Sequence, residues 1–150
     1  MSLPRKKLTR LVNLKTSRKG IRQVLGDLEA DIMELLWRDS PVSVRDVHER
    51  LAKKRSIAYT TVMTVMSRLA EKGLLQREQH GRAYLYVPVQ SREEFCSDTI
   101  DAVMQGLLGG FGEPVLSHFV DTIGSRDTAK LDELLRLIEA KKGNQEKSAT

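Results

Sequence analysis

A single cysteine, Cys96, stands in a chain of 150 residues, so no intramolecular disulfide can form. That usage fits a reducing compartment. No apolar run approaches the roughly 18 residues that a membrane span needs. The opening stretch, Met1 to Gly20, also lacks the apolar core of an export signal. Together these absences give a cytoplasmic protein with no membrane insertion as the expectation. The sequence has no Gly-rich phosphate loop and no metal motif of the HExxH or CxxC kind. His48, His80 and His118 fall on separate segments, with no Asp at a spacing that supports a catalytic pair. No catalytic residue, metal site or cofactor is expected, and the chain is read as not an enzyme.

Acidic residues are missing from the first 24 positions, where Arg5, Lys6, Lys7, Arg10, Lys15, Arg18, Lys19 and Arg22 lie. Residues 1–90 carry 18 Lys and Arg against 9 Asp and Glu, a surplus of nine positive charges; residues 91–150 carry 7 against 11, a deficit of four. A basic front half suits a polyanion, because cations that neutralise phosphates release counterions. Hydrophobic residues at 40% and charged residues at 30% otherwise give a globular balance.

Periodicity divides the chain. Residues 1–24 read as a basic arm, within which Leu8, Leu11, Val12 and Leu14 have the spacing of a turn of amphipathic helix. Leu28, Ile32, Leu35 and Leu36 recur at helical spacing, predicting a helix from Asp27, as its N-cap, to Arg38. Asp39-Ser40-Pro41 stops it. Ser43 caps a second helix, with Asp46 in the capping-box position and Val44, Val47, His48 and Leu51 inside. A third helix opens at Tyr59 or Thr60 and runs to Lys72, where Gly73 ends it. The period then changes to two. Leu74 to Gln79 and Ala83 to Val87 read as strands joined by His80-Gly81-Arg82, a hairpin closed by Pro88. Helix resumes after Glu94 to about Leu108. A break over Gly106, Gly109, Gly110, Gly112 and Pro114 follows, then helices over about Val115–Ile123 and Thr128–Lys142. Residues 143–150 read as a frayed tail.

Three helices and a hairpin in that order make a winged helix-turn-helix over residues 25–90. The fold class is mainly α with a small β-wing, followed by a helical region over residues 91–142. The third helix is the one that enters the major groove. Val62, Val65, Met66 and Leu69 lie on its core side, and Thr60, Thr61, Thr64, Ser67 and Arg68 on the other. Short hydroxyl side chains permit close approach and offer methyls to thymine, while Arg68 is long enough for a phosphate or a guanine edge, and its place far along the helix favours phosphate. Arg82 at the wing tip is either a backbone or minor-groove contact or a solvated turn residue. Tyr59 is either a phosphate contact or a staple on the core. His48 sits among apolar positions as a boundary core residue, and Cys96 as a packed one.

In the helical region Val115, Leu116, Phe119, Val120 and Ile123 form one apolar stripe, and Leu131, Leu134, Leu135 and Ile138 another. Two such helices cannot hide both stripes on a domain that already has its own core, a pattern consistent with dimerisation, the alternative being intramolecular packing onto the winged domain. The two-fold symmetry of a homodimer would set the recognition helices one or two turns of DNA apart.

Leu25-Gly26-Asp27-Leu28-Glu29, Ile32 to Trp37, Thr60-Thr61-Val62, Ser67 to Gly73 and Gly81 to Pro88 together resemble the BlaI/MecI/CopY family of repressors, in its penicillinase-repressor branch with an actinobacterial flavour. The resemblance is good over Leu25 to Glu94 and looser beyond. It implies a transcriptional repressor that binds a palindromic double-stranded DNA operator as a homodimer with interlocked C-terminal helices, through Thr61, Thr64 and Arg68. It further implies control of β-lactam-resistance genes and release through proteolysis by a membrane sensor-protease. Two departures stand out. Copper-responsive relatives carry a Cys-x-Cys pair that this chain lacks. The Asn-Phe bond cut in staphylococcal relatives is absent from Thr99–Leu108, which leaves a cut near Asp101–Gln105 without an assigned bond. The rival readings are a winged-helix regulator that senses a ligand or metal directly, and a winged helix used for protein or RNA contact.

Overall fold

The computed structural model describes residues 18–149. A 3₁₀ turn, Gly20–Gln23, leads into α1 (Asp27–Asp39), α2 (Val44–Ala52) and α3 (Tyr59–Glu71). The antiparallel strands β1 (Leu75–His80) and β2 (Ala83–Pro88) follow, paired from Leu75 opposite Pro88 to His80 opposite Ala83. Then come α4 (Arg92–Phe111), α5 (Pro114–Arg126) and α6 (Thr128–Ser148). The fold is mainly helical with a two-stranded wing, and the chain divides after Met104 into two compact units.

The first unit is built on one apolar core. Ile32, Met33 and Leu36 of α1, Val47 of α2, and Val62, Met66 and Leu69 of α3 are all buried, and Leu74, Leu75 and Tyr86 continue the core into the base of the wing. Val42 adds a bridge that the sequence pattern does not signal: its N–H donates to the Tyr86 carbonyl at 3.2 Å, and the Tyr86 N–H donates back at 2.8 Å. The root of the wing is thereby sewn to the link between α1 and α2.

Helix ends follow local chemistry, with one correction. Gly26, not Asp27, is the N-cap of α1; Glu29 reaches back to accept from the Gly26 N–H at 3.0 Å, and Asp27 becomes the first helical residue. Glu29 has a reach that Asp27 lacks, which moves the cap one residue back. Ser43 caps α2 as expected. Its hydroxyl accepts from the Asp46 N–H at 3.1 Å while the Asp46 carboxylate accepts from the Ser43 hydroxyl at 2.7 Å and N–H at 3.1 Å. Gly73 stops α3 with φ at 82°, a left-handed position that a side chain would strain.

Residues 1–17 of the expected basic arm lie outside the described residues. Its last part is no arm, because Ile21 is buried in the core and Arg22 pairs with Asp31 on α1. The C-terminal helices are longer than the pattern of breakers suggests. α4 runs through Gly106, Gly109 and Gly110 to Phe111, and only Gly112, at φ 70°, turns the chain. Three helical glycines cost about 1 kcal/mol each against alanine and weaken a helix without ending it. α6 continues past Lys142 to Ser148, over residues read as a tail, since Lys, Gln and Glu are good helix formers and Lys147 complements the C-terminal dipole. Within the second unit α5 and α6 pack on each other, with Leu131 Cδ1 lying 3.0 Å from where a Cβ on Gly124 would stand.

Removing the cap by Ser43→Ala should cost about 1 kcal/mol, measured from the urea midpoint. The Ser43 hydroxyl and N–H hold the Asp46 carboxyl below its ordinary pKa. A depressed carboxyl stabilises the fold above its unfolded pKa, and that contribution fades as pH falls through the folded value. Asp46→Asn should therefore cost more at about pH 7 than at about pH 3. An equal cost at both would show that ionisation contributes nothing.

Candidate nucleic-acid interface

The seat of α3 decides what it shows to solvent. Val62, Met66 and Leu69 face inward, fully buried, and Val65, read as a core position, is half-buried at the edge of the same seam. Thr60, Thr61, Thr64 and Arg68 are exposed together along the opposite side, and Ser67 is only half-buried. Met63, which the sequence reading left out, is exposed in the middle of that face. No carboxylate occurs from Tyr59 to Ala70, so the face has no charge that would repel a phosphate.

Individual groups on this face have distinct capacities. The Thr64 hydroxyl donates to the Thr60 carbonyl at 2.8 Å, which commits its proton inward and leaves its methyl and an acceptor outward. No side chain caps the N-terminus of α3 at Ala58; the Thr61 N–H turns back to the Ala58 carbonyl at 3.1 Å, so only the N–H groups ahead of it remain directed at whatever approaches. The Tyr59 ring stands edge-on to His48, with centroids 5.8 Å apart, yet Tyr59 is 45% exposed. The staple and contact readings of Tyr59 are therefore compatible.

His48 carries more than the role of a boundary residue. Its Nε2 lies 2.9 Å from the Ile57 carbonyl; a carbonyl only accepts, so this nitrogen bears the proton and donates. One side chain on α2 thus fixes both the chain just before α3 and the first aromatic of α3. Ion pairs fix the helix bundle from other sides. Lys72 at the end of α3 meets Glu29 of α1 at 2.5 Å, and Arg55 of the loop before α3 pairs with Asp31 of α1. The sequence offers only the weak signal of a histidine at an inward helical position for the first of these.

Arg82 is exposed at the wing tip beside Gly81, whose carbonyl accepts from Gln79 Nε2 at 3.2 Å. Arg77 lies over the Tyr84 ring with its guanidinium carbon 4.4 Å from the centroid, a cation–π pair on the face that carries Tyr86. The strand register, with Gln79 opposite Tyr84 and Arg77 opposite Tyr86, sets the two diagonally. Arg68 and Arg82, predicted together, thus lie on separate elements of one unit, α3 and the hairpin. Of the residues predicted to form the dimer contact, Leu116, Phe119, Val120, Leu135 and Ile138 are exposed, whereas Val115, Leu131 and Leu134 are half-buried within the second unit. Among the described residues no three His, Cys, Asp or Glu side chains gather as a metal site, and no helix is long and apolar enough to cross a membrane.

A family model described as penicillinase repressor matches residues 25–138. The transcriptional regulator BlaI of Mycobacterium tuberculosis is 43% identical over 122 residues, 80% of this chain and 88% of that protein. The penicillinase repressor of Bacillus licheniformis is 28% identical over 127 residues, 83% of this chain and 95% of that one. Among solved structures, the DNA-binding domain of the repressor BlaI aligns with a TM-score of 0.43 at 28% identity, covering 51% of this chain and 93% of that domain. Bacillus licheniformis BlaI in complex with the blaP half-operator aligns with a TM-score of 0.42 at 27% identity, covering 47% and 85%. With a match that spans most of the chain and a relative this similar over four-fifths of it, the protein belongs to the penicillinase repressor family.

Proposed function

We propose that the protein is a cytoplasmic transcriptional repressor that binds a palindromic double-stranded DNA operator as a homodimer. The observation that carries this is the outward face of α3, where Thr60, Thr61, Thr64 and Arg68 are exposed together on a helix with no acid before Glu71. Thr60, Thr61 and the uncapped first turn suit phosphate and base-edge contact; Thr64 suits a thymine methyl; Arg68, one helical turn further on, suits a phosphate. Tyr59 and Ser67 flank this face, and Arg82 extends it through the wing. One relative of the family, Bacillus licheniformis BlaI, was solved in its monomeric form in complex with a half-operator.

The homodimer reading rests on the exposed apolar stripes. Leu116 is 62% exposed and Leu135 55%, with Phe119, Val120 and Ile138 beside them. Apolar side chains this exposed are unfavourable in water, and burying them in an interface would relieve that cost. Val115, Leu131 and Leu134 would line the base of the same contact from within the helix pair. For the regulon we propose β-lactam-resistance genes, on the strength of relatives named penicillinase repressors. For induction we propose cleavage by a membrane sensor-protease, where Asp101, Met104 and Gln105 are exposed on α4.

A footprint on the region upstream of the protein's own gene, at about physiological salt, tests the central reading. A protected palindrome supports it; diffuse protection that disappears with salt speaks for charge alone. Arg68→Ala should weaken binding across sequences and lower the slope of log affinity against log salt by about one, with the dimer intact. An unchanged slope would remove Arg68 from the phosphate contacts. His48→Ala should weaken binding about fivefold, the equivalent of one lost hydrogen bond of about 1 kcal/mol, while leaving the salt slope alone. A changed slope would mean that His48 itself meets the DNA. Leu135→Asp combined with Ile138→Asp should give a monomer by sedimentation with its helix content retained, and a dimer surviving both changes would rule out this interface.

A further inference from the structure

An apolar groove of about 420 Å³ lies in the first unit between the Gly20–Gln23 turn and α4. Ile21 and Val24 form one wall, and Phe95, Cys96, Ile100 and Val103 the other. Ile100 is 62% exposed at its open edge and Met104 39%, which is costly for a groove left empty in water. Nothing in the DNA-binding reading uses it.

We propose that this groove is the docking site of the chain's own segment Leu8–Leu14, which lies outside the described residues. Three observations converge on that occupant. The first is tether: the described chain begins at Arg18, and Gly20, two residues on, already lines the groove. Leu14 is thus within a few residues of it, and intramolecular docking over so short a link has a high effective concentration. The second is shape of the pattern: Leu8, Leu11, Val12 and Leu14 put four aliphatic side chains at helical spacing in a segment otherwise basic and polar. The third is charge. Residues 1–17 hold Arg5, Lys6, Lys7, Arg10 and Lys15 and no acid, and Glu93 is exposed on α4, whereas Glu94 and Asp98 are turned away to Ser91 and Gln90. The Arg92 guanidinium, which lines the groove, is already paired with Glu34 at 3.0 Å. Glu93 precedes Cys96 by three residues and Ile100 by seven, which sets it on the groove-lining stripe of α4. A basic amphipathic segment therefore meets an apolar floor with one carboxylate, Glu93, at its edge. The docking is independent of any operator assignment, and it withholds the arm's cations from nucleic acid while it lasts.

Cys96, the sole thiol and half-buried in the groove, reports on occupancy directly. The full-length protein and its Leu8→Asp, Leu11→Asp double variant are labelled with a maleimide over a range of protein concentrations. The docked arm predicts labelling faster in the variant by on the order of tenfold or more, and a wild-type rate independent of concentration. It also predicts that Leu11→Cys forms an intrachain disulfide with Cys96 under mild oxidation. Equal rates in the two proteins would overturn the proposal. So would a wild-type rate that falls with concentration together with an interchain disulfide, which would give the groove to a second copy instead.

Discussion

The burial of one side of α3 is the constraint on which the rest of the molecule depends. Val62, Met66 and Leu69 have no exposed surface, and the residues they meet come from α1 and α2 in one continuous core. Burying three such side chains contributes several kcal/mol, of the order of the whole stability of a small domain. Rotating α3 about its axis by one residue, about 100°, would expose them. The orientation of Thr60, Thr61, Thr64 and Arg68 toward solvent is therefore a consequence of apolar packing. The hydroxyl face has no means of orienting itself.

Electrostatics works as a second constraint, through where the acids go. The carboxylates of α1 and α2 are engaged: Glu29 with Gly26 and Lys72, Asp31 with Arg22 and Arg55, Asp39 with Arg38 and Arg50, Asp46 with Ser43. Several of these pairs are exposed and contribute little to stability individually. Their larger effect is positional. Lys72 and Arg55 flank α3 at its two ends, so the ion pairs that hold them also fix the helix along its axis, while His48 fixes the approach through Ile57. The outward face of α3 is the one left without acids.

Much of this was legible in the sequence because the signals were local. The capping box at Ser43, the apolar period of α3, the glycine after it and the alternation of β2 each lie within a few residues, and each formed as expected. The Gly26 cap escaped because Asp27 satisfies the same rule one residue later, and only the reach of Glu29 separates them. Non-local partners escaped entirely. The Val42–Tyr86 bridge, the Arg77–Tyr84 stack and the link from His48 to Ile57 join residues whose identities carry no mark of each other. Of the proposed site, the exposure of Thr60, Thr61, Thr64 and Arg68 on α3 was readable from period and residue type, whereas that of Met63 was not, because its chemistry suggests a core position. Glycines misled at the end of α4, where Leu107 and Leu108 sustain a helix that Gly106, Gly109 and Gly110 only weaken.

The two units meet different physical demands, and that difference gives the chain its logic. The first unit closes its own core around α3, so it needs no second chain to present the exposed hydroxyl face of that helix. In the second unit, α5 and α6 retain long apolar stripes in water, a state that association relieves. If association supplies the partner surface, the second recognition helix meets its half-site as an intramolecular event, and affinity for a two-fold site rises without a new contact in either interface. Repression would then be lost by separating the units even where each remains folded. A single break in the exposed stretch of α4 would then weaken such binding while leaving the outward face of α3 as it is.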